Sequence, residues 1–581
     1  MVKKKNIILE FFIEHKISYI MGVIFLLVAA YIQTLFPKIL GETIDILEVA
    51  NFNSGDVRRN IVYMLLISVG TFVTAYIWRN LIIGSGRKLE CVIREKLFHH
   101  LQLMSPEFYN RRKTGNLIAY AINDINAVRM AFGPATAMSI NGVTVSVVAI
   151  YSMINTIDWR LTVMCLAPIP IIVIVILMIG KQVQKRFKKV QEYFASISDR
   201  VQENIYGIRV IKAYVQEDEE VKNFEELNDE MMKANLDMVR ISSILTPIIE
   251  ICFSISFICN LIIGGNMVID GTITLGDFIA FNTYLTLIMA PVISIGRIVN
   301  VIEKGIASYK RLNEIFKVKP DVINGDEMIN SEIKGEIKIK DLDFYYPGSS
   351  EKALDGISVT IGKGKTLGII GKTGSGKTTL ASLLLRLYNV NQGEIIIDGV
   401  DINSYKLESL RDGFGYVPQD NFLFSASVKD NITFFNEDYS IEQVEAVTKE
   451  SCIYNSITEL DKGFDTVLGE RGVNLSGGQK QRISIARAII KNPGVLILDD
   501  SLSAVDTITE EQILKNFKNL RVDKSTIIIS HKISSIKDAD QIIVLDNGKI
   551  KEEGTHEKLI KKGGVYYEIY QEQCKDRKSG I

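Results

Sequence analysis

Six apolar stretches occupy the first half of the chain, and each is long enough, at about 20 residues, to cross a bilayer as a helix. They lie at residues 17–36, 61–83, 133–157, 161–180, 244–269 and 275–295. The fourth contains the run LAPIPIIVIVILMIG and is the most apolar, while the third carries Thr, Ser and Asn among its apolar residues. This pattern predicts a membrane domain of six helices at residues 17–309.

Positive charge is concentrated in two long segments between the spans, at residues 84–132 and 181–243, whereas the opposite loops are short and poor in Lys and Arg. The positive-inside rule therefore places both termini in the cytoplasm. Both segments alternate apolar and charged residues with helical periodicity, which predicts that the membrane helices extend far beyond the bilayer. Residues 1–16 are expected to form a short amphipathic helix on the membrane surface, because the apolar run after them is too long for a cleaved signal peptide.

The pattern changes after residue 309. Residues 310–334 are polar and mixed in charge, and they are predicted to be a linker. From residue 335 to 575, short β-rich runs alternate with amphipathic helical stretches, which is typical of an α/β domain with a largely parallel sheet. The runs are EIKIKDLDFYY, TLGIIG, EIIIDG, VLILDD, TIIISH and QIIVLD.

Composition excludes several classes of protein. The 581 residues include 67 Lys and Arg against 68 Asp and Glu, a net charge of −1 that argues against nucleic acid as a partner. The six cysteines show neither CxxC pairs nor regular spacing, so neither a zinc site nor a disulfide framework is expected.

A phosphate-binding loop is the strongest chemical signal. The run GKTGSGKT from Gly371 to Thr378 follows an apolar strand and precedes a helix, as the G-x-x-x-x-G-K-[ST] pattern requires. Its glycines let backbone N–H groups surround phosphates at a helix N-terminus. Lys377 would then reach the β- and γ-phosphates of ATP, and Thr378 would coordinate Mg²⁺.

Further motifs follow in a fixed order. The run LSGGQ, from Leu475 to Gln479, precedes a predicted helix, and an apolar strand then ends at Asp499, which fits an acid that holds Mg²⁺. The run SAVD ends at Asp506, and another apolar strand leads to His531.

This order resembles the nucleotide-binding domain of an ATP-binding cassette (ABC) transporter, and the whole chain resembles an ABC exporter half-transporter of the type IV fold. The resemblance implies that Tyr346 stacks on adenine, Gln419 contacts Mg²⁺, Asp506 communicates across a dimer, and His531 meets the γ-phosphate. It implies that residues 476–479 of the LSGGQ run, the signature residues, contact ATP held by a second subunit. The nucleotide-contacting positions it implies are Gly371, Thr373, Gly374, Ser375, Gly376, Lys377, Thr378, Thr379, Ser476, Gly477, Gly478 and Gln479.

Three further segments resemble parts of exporters. Residues 469–472 (GERG) resemble a segment found in exporters rather than importers. Residues 105–117 and 205–224 resemble the two cytoplasmic loops that dock onto nucleotide-binding domains, with ordinary solvated helix as the alternative.

One position departs from the family pattern. The acid after Asp499 is Asp500, where the family has a Glu that polarises the attacking water. Asp is one methylene shorter, which withdraws the carboxylate by roughly 1 Å and can cost about a hundredfold in rate. The combination resembles the BmrC-like subunit of heterodimeric bacterial multidrug exporters, in which a partner supplies the catalytic Glu. The alternative is a homodimer in which Asp500 serves as the base.

The expected function is ATP-driven export by alternating access, with this chain's own site slow. Hydrophobic or amphipathic drugs are the leading substrate class, with lipids, peptides or a regulatory ATP-binding role as alternatives. Glu250, an acid within a span, is the candidate for contact with cationic substrates. The chain is expected in the bacterial cytoplasmic membrane, with its ATPase domain in the cytoplasm.

Overall fold

A computed structural model of the chain describes residues 7–49, 53–324, 328–469 and 472–579. Two compact units are present. One comprises the described residues up to Gln102 together with Lys113–Val318, and the other comprises Leu103–Arg112 and the described residues from Lys319 onward.

The first unit is helical. Among its described residues, six helices are long and apolar enough to cross a membrane, which confirms the predicted number. A short helix, α1, precedes them at Ile7–Glu14, and its location on the membrane surface stays a prediction. The six are α2 (Lys16–Glu48), α3 (Ser54–Gln102), α5 (Thr114–Ile157), α6 (Trp159–Tyr206), α8 (Glu217–Ile269) and α9 (Leu275–Lys317). Between them lie α4 (Pro106–Asn110), which belongs to the second unit, and α7 (Ile208–Tyr214).

These helices are much longer than their apolar spans, as the periodicity of the polar segments predicts. Helices α2, α3, α5 and α9 pack together, while α6 and α8 pair mainly with each other. Small residues permit close approach: a Cβ added to Gly276 of α9 would lie 2.1 Å from the carbonyl oxygen of Gly41 in α2. Asn260 Nδ2 donates to Asn282 Oδ1 over 2.8 Å, so these two amides bond between helices.

The boundary of the predicted linker needs correction at its start. Helix α9 continues to Lys317, so residues 310–317 are helical and belong to the first unit. The buried side chains of Leu312 and Ile315 explain this extension, because they continue the apolar face of the helix.

The described residues of the second unit form two sheets. Their strands are β1 (Ile337–Tyr345), β2 (Lys352–Ile361), β3 (Thr366–Gly371), β4 (Ile395–Ile397), β5 (Val400–Asp401), β6 (Phe414–Val417), β7 (Val495–Asp499), β8 (Ser525–Ile529), β9 (Gln541–Asp546) and β10 (Lys549–Gly554). The six-stranded sheet has the order β10-β9-β3-β8-β7-β6 and is parallel except for β10, which confirms the predicted parallel core. The four-stranded sheet, β2-β1-β4-β5, is antiparallel and was not anticipated.

Helices cover the six-stranded sheet. Alternate residues of its central strands face two separate cores: Ile369 and Ile497 point into one, and Ile370 and Leu496 into the other. The α-helices of this unit after α4 are α10 (Lys377–Leu384), α11 (Leu407–Asp412), α12 (Val428–Thr433), α13 (Ile441–Glu450), α14 (Tyr454–Thr458), α15 (Gly477–Ile489), α16 (Thr507–Leu520), α17 (Ile533–Ile536), α18 (His556–Lys562) and α19 (Val565–Ser579).

Of the first predicted docking loop, residues 105–112 belong to this unit and residues 113–117 to the first unit. Ser105 Oγ donates to Asp321 Oδ2 over 2.7 Å, and Arg111 Nη2 donates to the carbonyl oxygen of Pro347 over 3.0 Å. Phe108 is buried beneath the guanidinium of Arg112, whose carbon lies 4.1 Å from the ring centre.

Candidate functional site

The predicted phosphate loop joins β3 to α10, in the strand–loop–helix arrangement that the motif requires. Gly374 and Gly376 have φ angles of +82° and +100°, which side chains rarely adopt. A Cβ on Gly376 would lie 2.7 Å from the carbonyl oxygen of Ala353, and one on Gly371 would lie 2.2 Å from that of Leu545. Gly374 has open space beside it. The loop is therefore closely packed at Gly371 and Gly376 and open at Gly374, where phosphate groups could approach the backbone.

Lys377, the first residue of α10, turns back over this loop. Its Nζ donates to the carbonyl oxygens of Gly371 and Lys372 over 2.8 and 2.9 Å. Burial lowers the pKa of this ammonium, and the nearby carboxylates of Asp499 and Asp500 oppose the shift. The positive charge of Lys377 therefore lies beside the open cleft, where a phosphate could replace the two carbonyl oxygens as its hydrogen-bond acceptor.

Asp499 ends β7 and is buried. Thr378 Oγ1 donates to its Oδ1 over 3.2 Å, and Tyr416 OH donates to its Oδ2 over 3.4 Å. Burial raises the pKa of this carboxyl above its ordinary value, and the neighbouring Asp500 raises it further. A buried carboxylate beside a hydroxyl is an oxygen ligand set that suits Mg²⁺, so the residues present fit the predicted cation.

Both backbone groups of Asp500, its N–H and its carbonyl, are hydrogen-bonded. Its φ angle is +47°, its N–H donates to the carbonyl oxygen of Ile529 over 2.9 Å, and its own carbonyl oxygen accepts from Ser503 Oγ over 2.9 Å. These constraints leave little freedom for the main chain to move towards the cleft.

Most of the predicted nucleotide residues line one cleft of about 470 Å³. Gly371 and Ser375 belong to the loop but do not line this cleft, and Ser375 Oγ is buried without a hydrogen-bond partner. Predicted residues that do line it are Tyr346, Thr373, Gly374, Gly376, Lys377, Thr378, Thr379, Gln419, Asp499, Asp500 and His531.

Tyr346 stands at the rim of the cleft, directly after β1. Its ring meets Phe344 and Tyr388 edge to face, and its hydroxyl shares a hydrogen bond of 2.9 Å with Thr379 Oγ1. The side chain remains partly exposed at the rim of the cleft.

The predicted signature residues lie elsewhere in the unit and do not line the cleft. Ser476 caps α15, where its Oγ accepts from the N–H of Gln479 over 3.3 Å and Gln479 Oε1 accepts from the N–H of Ser476. A Cβ on Gly478 would lie 2.8 Å from the carbonyl oxygen of Ala504, so this loop packs against the segment that follows Asp500. Of the predicted exporter segment 469–472, Glu470 and Arg471 lie outside the described residues.

Asp506 caps α16 by accepting from the N–H of Thr509 over 3.0 Å, and this bond lowers the pKa of its carboxyl. Gln481 of α15 connects the two motifs, since its Nε2 donates to Ser503 Oγ and its Oε1 accepts from the N–H of Ala504.

Among the residues around the cleft that sequence reasoning missed are Tyr416 and Lys352. Tyr416, which contacts Asp499, stands three residues before Gln419 at the end of β6, and the parallel pairing of β6 with β7 could have identified it. Lys352 lines the cleft and forms ion pairs of 2.8 Å with Asp343 and Asp355, for which the sequence offers no comparable signal.

Glu250, the predicted substrate contact, lies exposed on α8 of this single chain.

Comparisons of the sequence and of the structure with known proteins lead to the same family. Residues 19–292 match the model of the ABC transporter transmembrane region, and residues 354–503 match that of the ABC transporter domain. The chain is 37% identical over 563 residues to a probable multidrug resistance ABC transporter ATP-binding/permease protein, YheI, of Bacillus subtilis, covering 97% of this chain and 96% of the relative.

Two other relatives carry different descriptions. The multidrug resistance-like ATP-binding protein MdlA of Escherichia coli is 36% identical over 96% of this chain and 94% of its own length. An ATP-dependent lipid A-core flippase of Syntrophus aciditrophicus is 33% identical over 85% of this chain and 82% of its own. A bacterial Atm1-family ABC exporter with ATP bound has the same fold, with a TM-score of 0.79 and 25% identity over 96% of this chain and 99% of that one.

Proposed function

The chain belongs to the ABC transporters, with a transmembrane domain and an ATP-binding domain of the exporter fold, and from this premise we propose that it is one half of a heterodimeric multidrug exporter. Its transport is coupled to ATP hydrolysis, as the family implies, and it acts as part of a dimer in a membrane. The proposal concerns its partner, its substrate and the speed of its own site.

The phosphate loop and its surroundings would bind Mg²⁺–ATP. The backbone of Gly374 and Gly376 and the ammonium of Lys377 would hold the phosphates, and Tyr346 would stack on the adenine. Thr378, Gln419 and Asp499 would hold Mg²⁺, which when bound neutralises charge on the phosphates. His531, which lines the same cleft, would contact the γ-phosphate.

The heterodimer proposal rests on the presence of Asp500 where the family has Glu. A one-methylene shortening could be offset if the main chain moved towards the nucleotide. Here the N–H of Asp500 is bonded to Ile529 and its carbonyl to Ser503, so the carboxylate stays withdrawn. We therefore expect this chain's site to hold ATP and hydrolyse it slowly, while its signature residues complete a fast site on a partner with Glu at this position.

A dimer is also supported by the position of the signature residues. Ser476, Gly478 and Asp506 do not line the cleft of their own chain, so any contact that they make with ATP would be with ATP held by a second subunit. The N-terminus of α15, a helix end that favours phosphate, would face the ATP of the partner.

The second predicted docking loop also favours a partner subunit. Its tip, residues 205–215, exposes apolar side chains, among them Tyr206 (80% exposed) and Val215 (79%). The nucleotide-binding unit carries an exposed aromatic cluster in which rings meet edge to face: Phe422, Phe424, Phe434 and Phe435. Exposed apolar patches mark interaction surfaces. We infer that the tip of each subunit docks on the aromatic cluster of the other.

The proposed substrates are hydrophobic or amphipathic compounds moved out of the cytoplasm or inner leaflet. The similarity to YheI and MdlA, both described as multidrug-resistance proteins, supports this class. Glu250 would favour cationic members of the class, since an acid within a span attracts cations.

A second candidate is a homodimeric lipid exporter, which the similarity to a lipid A-core flippase favours. In that case Asp500 would act as the base in two identical sites.

The test is ATPase activity and oligomeric mass of the purified chain, alone and together with a half-transporter that carries Glu at the corresponding position. We expect the chain alone to hydrolyse ATP about 100-fold more slowly than the pair. A stable homodimer with brisk hydrolysis would overturn the heterodimer. In the pair, Asp500→Glu should activate the slow site and raise total hydrolysis about twofold, because a second site then turns over.

A further inference from the structure

The C-terminal helix α19 reaches the loop that carries His531. Gln573 Nε2 donates to the backbone carbonyl of His531 over 2.7 Å, and Gln573 Oε1 accepts from the backbone N–H of Ile533 over 3.0 Å. One amide thus holds both peptide groups that flank Lys532. Resting on the function proposed above, we propose that Gln573 is a positioning residue for hydrolysis, which keeps His531 directed into the nucleotide cleft.

The start of α19 is itself fixed, which makes it a suitable support. Both carboxylate oxygens of the buried Glu552 accept backbone N–H groups there, from Val565 over 2.7 Å and Tyr566 over 3.1 Å. A Cβ on Gly564 would lie 1.8 Å from Glu552 Oε1, so only glycine permits this approach. Tyr566 is fully buried and its hydroxyl lies 2.8 Å from His556 Nδ1. Gln573 follows Tyr566 by about two helical turns.

The opposite side of the loop is held by contacts from elsewhere in the unit. Lys532 Nζ donates to the carbonyl oxygen of Ser503 over 3.1 Å, and Ser530 Oγ accepts from the N–H of Lys532 over 2.9 Å. These bonds hold the Lys532 side chain and its N–H. The carbonyl of His531 and the N–H of Ile533 depend on Gln573 instead.

Loss of the amide would therefore change the loop in a defined way. Ile533 is the first residue of helix α17 (Ile533–Ile536), so its N–H has no partner within the helix. A peptide released at His531 can rotate and carry the imidazole with it, and a displacement near 1 Å is enough to slow a positioned reaction. Gln573 does not line the cleft, so ATP binding should be retained.

Three substitutions can distinguish a role of Gln573 in positioning His531 from a purely structural role in the fold. Gln573→Leu removes both bonds at similar size. Gln573→Glu keeps the acceptor for Ile533 but replaces the donor to His531 with a carboxylate. Gln571→Leu is the matched control, because this exposed glutamine of the same helix donates to Tyr567 OH, one turn earlier, over 2.6 Å.

The experiment uses the assembled transporter in lipid nanodiscs with Asp500→Glu in this chain, so that hydrolysis at its own site is measurable. We expect Gln573→Leu and Gln573→Glu to lower the kcat that this site contributes by about tenfold. The Kd for a fluorescent ATP analogue and the Tm should be unchanged, and Gln571→Leu should behave as its parent.

Full activity in Gln573→Glu would overturn the proposal, because it would reduce Gln573 to a cap for α17. A loss of ATP binding in parallel with kcat, or an equal loss in Gln571→Leu, would overturn it as well. If Gln573→Leu lowers the Tm, the kcat and Kd of Gln573→Glu are used to test the proposal instead. If Asp500→Glu does not raise hydrolysis, the slow-site proposal fails by itself, and the same ratios are then measured on the native Asp500 background.

Discussion

The nucleotide machinery of this chain consists of two halves that differ in completeness. The phosphate half (the loop with Lys377, the acids Asp499 and Asp500, and His531) is gathered around one cleft. The signature half, the N-terminus of α15 with Ser476, does not line that cleft. The first half is a formed pocket, whereas the second is a capped helix end outside that pocket.

The difference shows where a substitution will have its effect. A change in the phosphate half alters the ATP that this chain holds, whereas a change in the signature half alters ATP held by the partner. The segment 500–506 connects them, since Gln481 of α15 bonds to Ser503 and Ala504 shortly after Asp500.

The largest effect is expected from Ser476→Arg. A bulky cation at the N-terminus of α15 opposes the helix dipole and fills the place of a phosphate, so total hydrolysis of the assembled pair should fall about 100-fold. Lys377→Ala should leave it nearly unchanged, because it disables a site that is expected to be about 100-fold slower than the partner's. Phosphate release measures both.

Equal losses from Ser476→Arg and Lys377→Ala would indicate two equivalent sites and contradict the asymmetry. Ser440→Arg is the control for helix stability, because Ser440 caps α13 with the same capping box, through Gln443, and has no predicted contact with nucleotide.

Asp499→Asn should stabilise the nucleotide-free protein while it weakens Mg²⁺-dependent binding of ATP by tenfold or more. Burial raises the pKa of this carboxyl above its ordinary 3.8, so its ionised form destabilises the folded state. The gain in Tm should be full above the folded pKa, shrink as the pH falls through it, and vanish below the unfolded pKa. Thermal unfolding between pH 4 and pH 8 measures this, and a lower Tm for the variant at neutral pH would contradict it.

Gly376→Ala should affect the phosphate half more than Gly374→Ala. Both positions have positive φ, so each substitution introduces strain of about 1–2 kcal/mol. At Gly376 the new methyl group would also lie 2.6 Å from Leu354 Cδ2, whereas Gly374 has open space. The expected loss of ATP affinity is about tenfold for the first and about threefold for the second, measured by titration with a fluorescent ATP analogue. A larger loss at Gly374 would show that phosphate contact, rather than packing, limits the loop.

The smallest change in nucleotide affinity is expected from the conservative substitution Tyr346→Phe. Tyr346→Phe removes the hydrogen bond to Thr379 but keeps the ring, so the KM for ATP should change by less than about threefold. Tyr346→Ala removes the stacking surface and should raise KM about tenfold. Similar values for the two variants would argue against stacking.

The sequence predicted the parts of the fold that repeat a period or a motif. The six spans, the parallel strands and the phosphate loop were found because each has a local signature. The antiparallel sheet β2-β1-β4-β5 was missed because β4 and β5 are three and two residues long, too short to display alternation. The linker was placed too early because α9 carries its apolar face into a polar stretch.

In the site, the motif residues were predictable and their supports were not. Tyr416 contacts Asp499 through strand pairing, and Gln573 contacts the His531 loop from more than 40 residues away along the chain. Such contacts depend on where the fold brings distant segments, and a single glutamine in a polar helix carries no signal of its own.

The assignment of Leu103–Arg112 to the nucleotide-binding unit has a consequence for how that domain is attached. The chain passes between the two units three times, near residues 102, 112 and 318, rather than once through a single tether. A cut in the segment after Val318 would thus leave the domain joined to residues 103–112 by the burial of Phe108 and the bonds of Ser105 and Arg111. The domain is therefore covalently connected to the first unit at three places along the chain, and a single cut after Val318 removes only one of them.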